Sequence, residues 1–346
     1  MSDTSSGIVH KSATRREVAQ RAGVSTTVVS YVVNGGPKSV SPSTEAKVRA
    51  AIDALGYRPN PAARALTLGS SRVLGIVVPD AKSPFFASLA RAVEDVAAEY
   101  GFALLMGNSD SSPAHEQRLI TDLAARRVDG VVLCSSVLTP DLRELNLAGI
   151  PTVLLNRWTG SGDAPAVRSD LRAGAQMAVE HLISQGHQNI GLLIGSNVEK
   201  YVDEREVGWQ QALRRAGVSE GKIVRAPFTR RGGFEAGPEF LLQSNPPTAI
   251  FASSDLQALG LLRALHEARV RIPEDIAVIG FDGSEEGEFS WPPLSTVAQP
   301  VRDMARSALD IILNNRGEDT LANLVFMPEL ILRPSSEGWP RHSYHS

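Results

Sequence analysis

Residues 14–34 read TRREVAQRAGVSTTVVSYVVN, and this stretch decides the fold of the amino-terminal part of the chain. Thr14 is placed to cap a first helix, on which Val18, Ala19 and Ala22 fall on one face at helical spacing. Gly23 follows where the chain must turn, because a residue without a Cβ tolerates a left-handed conformation. Ser25 can cap a second helix whose Val29, Val32 and Val33 point back to the first. Thr26, Thr27, Ser30 and Tyr31 fall on its other face, a strip of short polar and aromatic side chains suited to base edges in a major groove. The pattern predicts a helix-turn-helix, with Thr14, Ser25 and Asn34 as further DNA-binding residues. An ordinary helical hairpin would share the apolar spacing but needs no such strip.

Charge supports the DNA reading once it is divided along the chain. The net charge of the 346 residues is −3. Between Lys11 and Arg72, ten Lys and Arg face only Glu17, Glu45 and Asp53, a balance of +7, so the remainder carries −10. A basic head on an acidic body is the electrostatic layout of a nucleic-acid reader joined to something else.

Working outward, residues 1–12 are Ser-rich and expected to be disordered. Ser41 and Pro42 open a third helix with Val48, Ile52 and Leu55 as its apolar stripe, and Gly56 ends it. Residues 61–68, PAARALTL, have helical propensity but only about two turns, too few to be stable alone in water. They suit a segment that folds on docking, though a plain linker has the same composition. From Val73 onward, strand-like runs at 73–78, 102–106, 130–134, 152–155, 190–194, 248–252 and 276–281 alternate with helical patterns. This predicts βαβ units in parallel sheets with helices on both faces, arranged as two similar lobes. The expected division is a head at 13–59, a hinge at 60–71, and a body at 72–336. Its first lobe takes about 72–171 and 301–326, its second about 172–300 and 327–336, and a tail follows at 337–346.

The motifs of common enzymes are missing. There is no Walker-type phosphate loop, no strand-linked G-x-G-x-x-G and no G-x-S-x-G elbow. His181 and His187 are six apart, the wrong interval for two metal ligands on one helix face. Cys134 is the only cysteine, sits in an apolar run and is expected to behave as a small hydrophobe. No catalytic residue, metal or cofactor is therefore expected. No run approaches a membrane span or a secretory leader, so a cytoplasmic protein is expected.

Four strand-like runs end on polar residues: Asp80, Asn156-Arg157, Ser254-Asp255 and Asp282. Ligands of open α/β sheets sit beyond the carboxyl ends of the strands, and these groups offer paired donors and acceptors to adjacent hydroxyls. Phe85, Phe86, Trp158, Phe228 and Trp291 are aromatics that can cover an apolar ligand face. Taken singly, each acid also reads as a helix cap and each aromatic as core.

The blocks VAQRAGVSTTVVSYVVNG, AAIDALGYRPNPAARAL, LGIVVPDAKSPFFASLARAVEDVA, RRVDGVVL, PPTAIFASSDLQALGLLRALHEA, RIPEDIAVIGFDG and PPLSTVAQP together resemble the lactose-repressor family of bacterial transcription regulators. The resemblance runs from Thr14 to about Ser335 and implies a homodimer on a pseudopalindromic double-stranded operator. Each chain would carry a DNA-binding headpiece, a hinge helix, and a two-lobed body like the periplasmic sugar-binding proteins. It implies base reading by Thr26, Thr27 and Tyr31, and a minor-groove wedge at Leu66. It implies effector contacts at or beside Asp80, Phe85, Phe86, Arg157, Asp170, Arg205, Ser254, Asp255, Asp282 and Trp291. The implied function is a repressor controlled by a small-molecule effector, with sugars as the implied class. A solute-binding protein with the same body is the alternative, but it would lack the basic head. Tyr31 stands where members commonly carry arginine, the usual bidentate reader of guanine, so the operator is not to be read from theirs. The residues after Ser335 lack the leucine heptads that join dimers into tetramers.

Overall fold

Val18, Ala19, Val29, Val48, Ala51 and Tyr57 close the small core of the first unit of the computed structural model. The structure describes residues 13–34, 39–58, 69–137, 139–156, 164–195, 202–314 and 323–337. The chain divides into two units near Ser71. In the first, helices α1 (Arg15–Ala22), α2 (Thr26–Asn34) and α3 (Pro42–Leu55) pack together. Thr14 and Glu17 form a reciprocal capping box, the Thr14 amide donating to Glu17 Oε2 at 2.6 Å and the Glu17 amide to Thr14 Oγ1 at 3.4 Å. Gly23, at φ +67°, ends α1 in the left-handed region and permits the tight turn into α2. Ser41 caps α3, and Gly56 ends it at φ +59°. Most of the hinge segment, 59–68, lies outside the described residues, and with it Leu66.

The second unit contains two six-stranded sheets. Its order is β1 (Val73–Val78), α4 (Pro84–Glu99), β2 (Ala103–Asn108), α5 (Pro113–Ala125), β3 (Gly130–Leu133), α6 (Arg143–Leu147), β4 (Thr152–Leu155), β5 (Ala166–Ser169) and α7 (Leu171–Ser184). Then come β6 (Ile190–Ile194), α8 (Glu204–Ala216), β7 (Ile223–Arg225), α9 (Arg230–Leu241), β8 (Ala249–Ala252), α10 (Asp255–Glu267), β9 (Ala277–Asp282) and α11 (Glu285–Glu288). The chain closes with β10 (Ser295–Ala298), α12 (Val301–Asn314), β11 (Asn323–Phe326) and β12 (Glu329–Ile331). The first sheet has the order β11-β5-β4-β3-β1-β2 and the second β12-β10-β9-β8-β6-β7. Every pairing is parallel except β12 against β10.

Alternation along the strands feeds a separate core on each face. Leu74, Ile76 and Val78 meet α4 and α12, while Val77 meets α5 on the other side. In the second sheet, Leu192 and Phe251 pack under α7 and α8, and Leu193 and Ile250 under α9 and α10. A parallel sheet covered on both faces is the doubly wound arrangement expected from the alternating pattern. Cys134 is buried in the first of these cores, where desolvation, aided by Glu116, pushes its thiol up to about 12; it is an inert small hydrophobe.

The chain passes between the sheets near residues 169–171, 298–301 and 326–329. The Asp170 amide donates to the Phe326 carbonyl at 2.8 Å, tying two of these passages together. Of the packed helices α9 and α10, only α10 has helix-forming composition. Helix α9 contains Gly232, Gly233, Gly237 and Pro238. A Cβ on Gly233 would stand 2.0 Å from the Gln257 carbonyl oxygen, and one on Gly260 1.9 Å from that of Arg230. The glycines permit backbone-to-backbone packing that propensity alone cannot signal.

Candidate effector cleft and nucleic-acid interface

Thr26 and Thr27 are exposed on the first turn of α2, and Ser30 and Tyr31 are partly exposed one turn later. Val29, between them, is fully buried against α1 and α3. The Val28 amide donates to Ser25 Oγ at 3.3 Å, so Ser25 holds the start of the helix. Asn34 Nδ2 donates to Ser30 Oγ at 3.2 Å, and Asn34 Oδ1 is buried without a partner among the described residues. The arrangement presents a polar strip at the amino end of a helix whose opposite face is anchored, which is what base reading requires. Thr14 is exposed and committed to the cap of α1.

In the body, the carboxyl ends of the second sheet's strands bring together a group of polar and aromatic side chains. Gly195, just after β6, leaves room for the Phe228 ring; a Cβ there would stand 2.2 Å from Phe228 Cε2. The Arg205 guanidinium lies 5.1 Å from the Phe228 ring centroid and 5.6 Å from that of Phe281. Its Nη1 donates to the Ser253 carbonyl at 2.5 Å, and its Nε and Nη2 donate to Asp203 at 2.9 and 2.6 Å. Asp282 ends β9 at φ +123°, a strained conformation that side chains rarely adopt. Gln299 Nε2 donates to Asp282 Oδ1 at 3.0 Å, while Gln299 Oε1 is buried without a partner among the described residues. Burial, then the neighbouring Asp255 charge, push the Asp282 carboxyl well above the usual range, against the pull of Arg205 and Gln299.

In the first sheet, Asn156 follows β4 at φ +60°, a left-handed position that asparagine tolerates, and its Oδ1 is buried without a described partner. Ser169 Oγ, at the end of β5, is in the same condition. Asp80 lies beyond β1 and accepts from the Lys82 amide at 2.9 Å. The Arg168–Glu204 ion pair, at 3.4 Å, joins β5 to the start of α8 and thereby bridges the two lobes.

Several expected contacts serve the scaffold. Asp255 is 1% exposed and accepts from Thr296 Oγ1 at 2.6 Å, from the Ser284 amide at 2.6 Å and from Ser284 Oγ at 2.9 Å, all within its own lobe. Desolvation pushes its carboxyl up to about 6 although these hydrogen bonds oppose it. Ser254 caps α10 and Asp170 caps α7. Phe85 is buried in the core under α4, its ring centroid 5.1 Å from that of the partly buried Phe86 in an edge-to-face pair. Trp291 is not brought to this edge. It follows β9 and α11 on the return into β10, so the chain has already travelled back to the amino ends of the strands. There it borders a surface hollow of about 640 Å³ with His266, Arg269 and Ile272. Arg157 and Trp158 lie outside the described residues. Sequence reasoning missed Asp203, Gly195 and Gln299. Asp203 was signalled only by its place before a helical run, and Gln299 by the PPLSTVAQP block.

Residues 14–60 match the model of bacterial regulatory proteins of the lacI family, and residues 179–336 match the periplasmic binding protein-like domain. The catabolite control protein A of Priestia megaterium is 34% identical over 320 residues, covering 91% of this chain and 96% of that protein. The chain belongs to the LacI family of bacterial regulatory proteins. Another LacI-family relative, the ribose operon repressor of Escherichia coli K12, is 33% identical over 330 residues, covering 94% of this chain and all of that one. Among solved structures, the lac repressor dimer bound to operator and the anti-inducer ONPF aligns with a TM-score of 0.82 at 27% identity, covering 94% of this chain and 99% of that one. A LacI-family regulator of Enterococcus faecium with bound ribose aligns at 0.69 and 30% identity, covering 76% and 98%. Among the described residues, no helix is long and apolar enough to cross a membrane, and no acidic, His and Cys cluster is arranged to hold a metal ion.

Proposed function

We propose that this LacI-family chain is a homodimeric, cytoplasmic transcriptional repressor that reads a pseudopalindromic operator and is controlled by a sugar bound at the strand ends of its body. The observation that carries the reading is the pairing, in one chain, of an anchored reading helix with a body whose strand ends hold Arg205, Phe228, Asp282 and Gln299. A solute-binding protein without a regulatory role has no use for the first of these. Ribose in the Enterococcus faecium structure supports the effector class, and the operator-bound lac repressor dimer supports the assembly.

Thr26, Thr27, Ser30 and Tyr31 meet base edges, with Asn34 at the far end of the helix. Leu66 enters the minor groove, where an apolar wedge unstacks a base step and bends the duplex. Asp80, Asn156, Arg157, Arg205, Phe228, Asp282 and Gln299 meet the effector. Control needs only that the effector bind two lobe arrangements unequally, since a ligand shifts an equilibrium by its differential affinity. The Arg168–Glu204 bridge and the three passages between sheets are where such a rearrangement is felt. No catalytic step and no cofactor enter this account; the chain is a regulator, not an enzyme.

Asp282→Ala tests the effector half. Operator affinity, measured by fluorescence anisotropy, should stay within about threefold of wild type, less than 1 kcal/mol. The response to the cognate sugar should disappear. A variant that still responds normally removes Asp282 from the site.

A further inference from the structure

Asp203 is the amino-terminal cap of α8, its Oδ1 accepting from the Arg205 amide at 2.9 Å. The same carboxylate then takes the Arg205 side chain as a fork, Nε on Oδ1 and Nη2 on Oδ2. With Nη1 donating to the Ser253 carbonyl, all three guanidinium nitrogens donate within the lobe. The two side chains are only 21% and 13% exposed. Burial pushes the Asp203 carboxyl up, but the charge and hydrogen bonds of Arg205, with Arg225 beyond, outweigh it and hold the group below the usual range. The pair is therefore an ionised acid on a cation.

An arginine with an open chelating edge is the usual receptor for phosphate and carboxylate, because its planar donors match two oxygens at once. At Arg205 that edge is already filled by a carboxylate, and Asp282 adds a second carboxyl close by. The guanidinium so held lies over the rings of Phe228 and Phe281. We propose that Asp203 is a specificity-determining residue: by occupying and neutralising Arg205, it makes the site accept an uncharged polyhydroxyl ligand and reject its phosphate ester. The inference rests on reading this edge as the effector site.

Inorganic phosphate is the probe, titrated into the full-length chain against chloride at constant ionic strength. Wild type should show no binding that depends on Arg205. Asp203→Asn keeps a capping side chain but loses the charge, and should bind phosphate at least about tenfold more tightly than wild type. Asp203→Ser, a second variant that retains the cap, should do the same. The gain should vanish when Arg205→Gln is added to either variant. The cations of the DNA-binding unit contribute an equal background throughout, so only differences between chains are read. Equal phosphate binding by wild type and the Asp203 variants overturns the proposal. So does a gain that survives Arg205→Gln, or wild-type binding that Arg205→Gln abolishes. Because the probe is not a sugar, failure to find a sugar effector would count against the proposed function and leave this outcome to be read separately.

Discussion

Replacing Asp255 by alanine should destabilise the body by about 3–5 kcal/mol, because it leaves buried donors without an acceptor. Thr296 Oγ1, the Ser284 amide and Ser284 Oγ all converge on this one carboxylate, and both Thr296 and Ser284 are buried. Chemical denaturation of the full chain measures the effect as a lower midpoint with little change in slope. The contrast with Asp282→Ala separates scaffold from site: the first variant loses stability, the second loses response. An Asp255→Ala chain as stable as wild type would return this residue to the effector contacts expected from the sequence. The pH dependence has a definite sign. The folded carboxyl is raised to about 6 from an ordinary 3.8, so its contribution to stability is fully present below the ordinary value and declines as pH rises through 6. The stability advantage of wild type over Asp255→Asn should therefore shrink between pH 4 and pH 6.

The double variant Thr27→Ala/Tyr31→Ala should lose specific operator binding by about 2–6 kcal/mol, since each base contact discriminates by about 1–3 kcal/mol. Both side chains project from α2 while Val29 anchors the helix from behind, so the unit itself should fold normally. Binding to random DNA should hardly change, and neither should its salt slope, because α2 carries no charged residue. Affinity for operator and for random DNA, measured side by side, decides this. Equal losses on both would mean that these residues support the helix and do not read sequence.

Local signals were legible where a residue's chemistry is used next to it in the chain. Thr14 with Glu17, Gly23 and Ser41-Pro42 announced helix ends, and the runs from Val73 announced parallel strands covered on both faces. The site was harder, because a polar residue at a strand end has two fates that look alike in sequence. Asp255 and Asp282 both follow apolar runs. Only packing shows that one is held inside its lobe by Thr296 and Ser284 while the other stands beside Arg205. Trp291 misled for a topological reason: four residues before a strand begins, it belongs to the amino edge of the sheet. Helix α9 is not legible from composition, because its glycines oppose helix formation and are explained only by the backbone of α10 against them.

The central claim is that one folded chain joins a sequence-reading head to a body that holds a ligand. Selection of DNA from a random pool by the purified protein, at about 150 mM salt where non-specific electrostatic binding is weakened, tests its first half most directly. The account predicts recovery of a pseudopalindrome whose half-sites match a two-fold dimer, with the adjacent genes naming sugars to try as effectors. Recovery of no preferred sequence, from protein whose helices are intact by circular dichroism, would contradict it.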